Sequence, residues 1–206
     1  MALRESRSSM EGIPELLAKA PLSHEKHSLW APLNPAKREI RLARLAPRER
    51  LGAQAECSLK VVSLDENPQF EALSYTWGDP NITEAISLQG MQWPVTVNLE
   101  AALRYLRDAS VEKVMWIDAI CIVQSSIEER NSQVLLMSHI YRNATLVHVW
   151  LGEAAKGSEG AMEFIEIVSQ GTPLKDVRIR GEPLNGEHLL NLTDLLTRPW
   201  WKRVWV

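Results

Sequence analysis

The chain has 206 residues, with 23 Lys and Arg against 26 Asp and Glu for a formal charge of −3, and 45% of it is apolar. That suffices for one domain with a core and excludes wholesale disorder. The longest near-continuous apolar run, residues 114–123, is broken by Asp118 and falls well short of the roughly 20 residues a membrane helix needs.

The first residues also lack the apolar stretch of a secretion signal. The two cysteines, Cys57 and Cys121, argue against a disulfide scaffold and for a reducing, cytoplasmic compartment. Residues 1–50 hold ten Lys and Arg against six Asp and Glu. They show no continuous basic run and no interleaved aromatics, so nucleic acid is not an expected partner.

Residues 1–35 mix Ser, Pro, His and charge and are read as a flexible arm, with a short helix over Glu11–Ala20; the domain is placed at 36–206. Alternation over Glu39–Leu45 predicts a half-buried strand, and Glu56–Leu64 can pair back on it as a hairpin. Phe70–Trp77 is the next strand, ended by Gly78-Asp79-Pro80. Ala85–Leu88 and Trp93–Val97 flank Gln89-Gly90 as a second hairpin. Asn98 then reads as the N-cap of a helix carrying Leu99, Ala102, Leu103 and Leu106 on one face.

Lys113–Asp118 reads as a buried parallel strand. Ser126 and Glu129 have the spacing of a capping box, opening a helix that uses Ile127, Val134, Met137, Tyr141 and Ala144. A strand over Thr145–Leu151 and helices over Gly160–Ser169 and Gly186–Thr197 complete the pattern. The implied fold is α/β: a mixed sheet, parallel at its centre, with flanking helices and hairpins at the front.

Asp118 is the lone charge of its apolar run. A buried carboxylate must find partners, emerge at a strand end or hold its proton. The carboxyl ends of strands in open α/β sheets are where ligands bind, so Asp118 either caps the next turn or touches a ligand there. Ser74-Tyr75-Thr76-Trp77-Gly78-Asp79 ends another central strand and is expected at the same edge. Tyr75 and Trp77 are either stacking faces or core, and Gly78 permits close backbone approach. Gln124 offers a polar contact, and Arg130 is a candidate partner for Asp118.

A Cys–His nucleophile built from Cys121 with His139 or His148 is disfavoured, because the flanking Ile120 and Ile122 raise a thiol's pKa. No metal site is expected, since no cysteine pair has ligand spacing and His24 and His27 sit beside prolines. Phosphate loops are absent.

Five segments in register make the chain recognisable: Phe70–Asp79; Trp116–Gln124; Glu129-Arg130 with Gln133-Val134 and Met137; Ile140-Tyr141 with Ala144; and Val149–Gly152. Together they closely resemble the HET domain of fungal heterokaryon-incompatibility proteins. Arg198-Pro199-Trp200-Trp201-Lys202-Arg203-Val204-Trp205 looks like that family's closing motif.

The resemblance implies a role in nonself recognition and programmed cell death through self-association or other incompatibility proteins, with no cofactor required. It also implies distant kinship to TIR domains, some of which cleave NAD. Under that analogy the Leu73-Ser74-Tyr75 strand matches the first TIR strand, Asp118 ends the second, and the sheet has a TIR-like centre. Asp118 is then the candidate catalytic acid, with Ser74, Tyr75, Trp77, Asp79, Cys121, Gln124 and Arg130 as ligand contacts. Two departures are Val123, where the family usually has Asn, and Ser125-Ser126, where an acidic residue is common. The family motif continues after Trp205 to Gln-Glu, so the domain is read as incomplete at its C-terminal end and inactive on NAD by itself.

Overall fold

The computed structural model describes residues 29–48 and 52–203. Seven strands form one mixed sheet: β1 (Glu39–Leu45), β2 (Glu56–Ser63), β3 (Glu71–Tyr75), β4 (Thr83–Leu88), β5 (Met91–Thr96), β6 (Lys113–Trp116) and β7 (Leu146–Trp150). Their spatial order is β5-β4-β2-β1-β6-β3-β7. The helices are α1 (Val97–Leu106), α2 (Asp118–Cys121), α3 (Ile127–Asn143), α4 (Ser158–Ser169) and α5 (Gly186–Leu196). A two-residue hairpin, β8 (Arg178–Ile179) with β9 (Glu182–Pro183), lies between α4 and α5.

The front of the sheet is built from hairpins. β1 pairs antiparallel with β2 in continuous register from Glu39↔Ser63 to Leu45↔Cys57. β4 and β5 close tightly through Gln89 and Gly90, both with positive φ (53° and 77°), as the commonest two-residue hairpin turn requires. The back is parallel: β6 and β7 flank β3, each parallel to it. The first of these three strands in the chain is therefore the middle one in space. The chain leaves β3 toward β6 and crosses over to β7, and such a reversal opens a crevice at the strands' carboxyl ends.

Three local expectations are corrected. β1 is not half-buried: it is bonded on both sides by β2 and β6, and its polar-face residue Arg41 is 1% exposed. Charge on that face is tolerated because Glu129 supplies a bidentate partner at 2.5 and 3.0 Å. On α3 the buried stripe is Gln133 and Ile140, with Leu136, Met137, Tyr141 and the following Ala144 packed partly against the core. Ile127 and Val134 are exposed. Gln133 is admitted to the stripe because its amide donates to the Glu39 carbonyl at 3.0 Å. The N-cap of α1 is Thr96, whose Oγ1 accepts from the Leu99 N–H; Asn98 lies inside the helix.

The core runs through Leu42, Leu73, Tyr75, Leu99, Leu103, Trp116, Ile117 and Ile120, all essentially inaccessible. Trp30 packs onto it, with Leu29 buried beside it in the chain. The Trp30 indole meets Trp93 edge-on at 4.8 Å and donates to the Ile120 carbonyl at 2.9 Å. The helix expected over Glu11–Ala20, and His24 and His27 with it, lie outside the described residues.

Candidate functional site

β6 ends at Trp116, two residues earlier than the expected Lys113–Asp118 strand, and Asp118 becomes the first residue of α2. Its Oδ1 accepts from the N–H of Ala119 at 2.8 Å, while its Oδ2 accepts from the indole N–H of Trp77 at 3.0 Å. The carboxylate thus caps its own turn and also reaches the exit of β3. The hydroxyl of buried Tyr75 faces the same carboxylate without completing a well-formed hydrogen bond. Asp118 keeps part of its surface in solvent. Burial of the carboxyl nevertheless raises its pKa, opposed by the Trp77 and Ala119 hydrogen bonds and by the charge of Arg203.

Burial, with Asp118 nearby, pushes the Tyr75 phenol well above its ordinary value and raises that of Tyr141 too. Tyr141 reaches in from α3 and donates to the Leu73 carbonyl at 3.2 Å. All of these groups stand at the carboxyl ends of β3 and β6. A carboxyl with raised pKa, flanked by a phenol and a guanidinium, can hold or pass a proton and can accept a hydrogen bond from a bound hydroxyl.

Ser74 joins the cluster from the other side of β3, where its Oγ accepts from the Trp200 indole at 3.1 Å. Arg203 donates to the carbonyl of Tyr75 and lies 3.5 Å from Ser74 Oγ. Gln124 is tied in by its amide, which donates to the Asp118 carbonyl at 2.8 Å.

The remaining sequence-derived candidates stand apart. Arg130 donates to the Gln124 carbonyl at 3.4 Å; the cation that acts on Asp118 is Arg203. Asp79 caps its own loop, accepting from the Asn81 N–H at 2.9 Å and from its side-chain amide at 3.0 Å. Cys121 is fully buried, with the Ile117 N–H 3.4 Å from its sulfur, and burial pushes its thiol up to about 12. Among the described residues no group of His, Cys, Asp and Glu can hold a metal ion, and no helix is long and apolar enough to cross a membrane.

Sequence reasoning missed Tyr141, Trp200 and Arg203, which arrive from elements far along the chain. It also missed Asn98, whose amide donates to the Thr76 carbonyl at 2.5 Å and accepts from the Trp150 indole at 2.9 Å, joining the ends of β3 and β7. Gly78 (φ 80°) lies against this residue: a Cβ there would come within 3.3 Å of Asn98 Cβ. The eight tryptophans were the available signal, since four of them (Trp30, Trp77, Trp150, Trp200) spend their N–H on loops or side chains around this end of the sheet.

Support from below comes through Glu129. The Ser126 hydroxyl accepts from the Glu129 N–H at 3.2 Å, as the capping spacing predicts. The Glu129 carboxylate, however, turns away from Ser126 to take Arg41 and the Val123 N–H at 2.8 Å. Arg41 also donates to the Cys121 carbonyl at 3.1 Å, so the buried pair pins the backbone on either side of Ile122, where the chain leaves α2.

An α/β domain with an acid–aromatic cluster at the reversal of its strand order is the class these observations define. A profile of the family described as Heterokaryon incompatibility protein (HET) matches residues 70–206, and the chain belongs to that family. It is 33% identical over 151 residues to "Heterokaryon incompatibility protein 6, OR allele" of Neurospora crassa, a match covering 67% of this chain and 22% of that protein. The chain thus spans about a fifth of the length of that relative. No solved structure matches it.

Proposed function

We propose that this fungal HET-type chain acts in the cytoplasm in nonself recognition, setting off growth arrest and cell death by assembling with other protein chains. The Asp118–Trp77–Tyr75 cluster is the site that governs the response. The observation that carries this reading is the junction of Trp77 and Asp118, since two family-matching segments 41 residues apart meet there through one hydrogen bond. The name of the Neurospora relative, which speaks of heterokaryon incompatibility, supports the same role. Inducible expression of the chain in a filamentous fungus tests it. Arrested growth and loss of viability on induction are expected, and unimpaired growth at full expression contradicts the proposal.

A second reading is cleavage of NAD at the nicotinamide–ribose bond. It is favoured by the parallel strand order, in which the first strand lies between the second and third, as in TIR-like sheets. In this reading the Asp118 carboxylate faces the cationic charge that develops on the ribose as nicotinamide leaves and water takes its place. Incubating the purified chain with NAD and measuring free nicotinamide decides it; release that persists undiminished in Asp118→Asn removes Asp118 from the reaction.

A further inference from the structure

The turn that carries Asp118 cannot hold its own shape. α2 has four residues, Asp118–Cys121, and a single helical turn makes too few hydrogen bonds to offset the backbone it fixes. Its last carbonyls have no acceptor role inside the helix and need donors from elsewhere. The Ile120 carbonyl accepts from the Trp30 indole at 2.9 Å, across 90 residues of chain, and the Cys121 carbonyl accepts from Arg41 at 3.1 Å. Arg41 in turn leans on the residue after Trp30. Its Nε and Nη2 both donate to the Ala31 carbonyl, at 2.9 and 2.6 Å. Nη1 and Nη2 donate to Glu129, and Nη1 also to Cys121. All five N–H groups of the guanidinium are spent, at a residue 1% exposed. Trp30 is itself seated on the core, edge-on against Trp93 at 4.8 Å. Trp30 and Ala31 precede the family-matching residues 70–206.

We propose that Trp30 is a positioning residue for Asp118: in its seat it holds the far end of α2, and leaving the seat frees the turn that carries the acid. This rests on the reading that Asp118 governs the response, and it adds a means of regulating that site. Trp77 and the Ala119 N–H fix the carboxylate at the start of α2, while Trp30 and Arg41 fix the last two carbonyls. With the seat empty the Ile120 carbonyl loses its donor. The Arg41 Nε and one Nη2 hydrogen lose the Ala31 carbonyl, and a buried donor without an acceptor is costly. The segment ahead of β1 is thereby a control on the site, because whatever draws Trp30 away loosens Asp118 from Trp77.

The thiol of Cys121, fully buried as the last residue of α2, reports the opening of this turn. Iodoacetamide labelling of Cys121 in the native chain, followed by peptide mass spectrometry, tests the proposal. Trp30→Phe keeps a ring against Trp93 and removes the N–H; it should speed labelling about fivefold, the equilibrium worth of one neutral hydrogen bond. Ile179→Val is the control, a buried position in β8 on α4, and should change the rate by less than about twofold while costing similar overall stability. Trp30→Ala gives up the ring as well and should speed labelling at least about fiftyfold. In the fungal expression assay, at matched levels of folded protein, Trp30→Ala should weaken growth arrest and Ile179→Ala should not. If Trp30→Ala does not fold, the labelling of Trp30→Phe decides. An unchanged rate in Trp30→Phe overturns the proposal. So does equal acceleration by Ile179→Val, since Cys121 would then be reached by whole-chain unfolding, and so does undiminished arrest by Trp30→Ala. Labelling is read in vitro and arrest in cells, so a wild-type chain that leaves growth untouched refutes the cellular role, while the labelling still decides whether Trp30 holds α2.

Discussion

The indole N–H of Trp77 and the Oδ2 of Asp118, 41 residues apart in the chain, lie 3.0 Å apart at the carboxyl ends of β3 and β6. The bond ties the exit of one parallel strand to the first turn after its neighbour. Hydrogen bonds to a charged group contribute roughly 1.5–3 kcal/mol. Trp77→Phe keeps most of the apolar contact and removes the donor. A loss of about 2 kcal/mol in urea unfolding at neutral pH is expected, together with a further rise in the pKa of Asp118.

Asp118 also makes stability depend on pH. Its pKa in the folded chain is raised by burial, so the native state holds this proton to higher pH than the unfolded chain does. The resulting stability is fully present below the unfolded value of about 4 and is lost as pH rises through the folded value. Asp118→Asn has no such proton. The stability difference between wild type and variant, followed by urea midpoints from acid to neutral pH, should shift against the wild type across that window and level off above it.

Arg41 and Glu129 form the buried pair beneath the cluster, with side chains 1% and 16% exposed. Removing one partner of such a pair costs about 3–5 kcal/mol, because the other charge is left buried and unpaired. Arg41→Met and Glu129→Gln are each expected to fall in or near that range by denaturant unfolding. The combined Arg41→Met, Glu129→Met variant should recover part of the loss, since no charge remains to be compensated.

Both thiols are held up to about 12 by burial. Cys57 and Cys121 should therefore resist iodoacetamide in the native chain at pH 8 and react fully in urea. Mass spectrometry counts the adducts, and rapid native labelling of Cys121 would show that α2 opens readily.

Much of the sheet was legible because each strand announces itself locally. Gln89-Gly90 marks one hairpin, and the run through Met115 and Trp116 marks a covered parallel strand. The faces were harder to read. Arg41 looks like a solvent-facing residue of an alternating strand until Glu129, 88 residues away, neutralises it. Asn98 reads as a cap because its chemistry suits one, yet it bridges β3 and β7 from within α1. At the site, Ser74, Tyr75, Trp77, Asp118 and Gln124 fall together because strand ends gather there. Arg203 was invisible because its role depends on how residues after α5 return over β3, which no local pattern encodes.

The most direct test of the central claim compares Asp118→Asn with Asp79→Asn in the fungal expression assay, at matched levels of folded protein. Asp79 serves only its own loop among the described contacts, whereas Asp118 stands at the junction of β3, β6 and α2. The account predicts that Asp118→Asn abolishes growth arrest and that Asp79→Asn leaves it intact. Full arrest by the Asp118→Asn chain would contradict it.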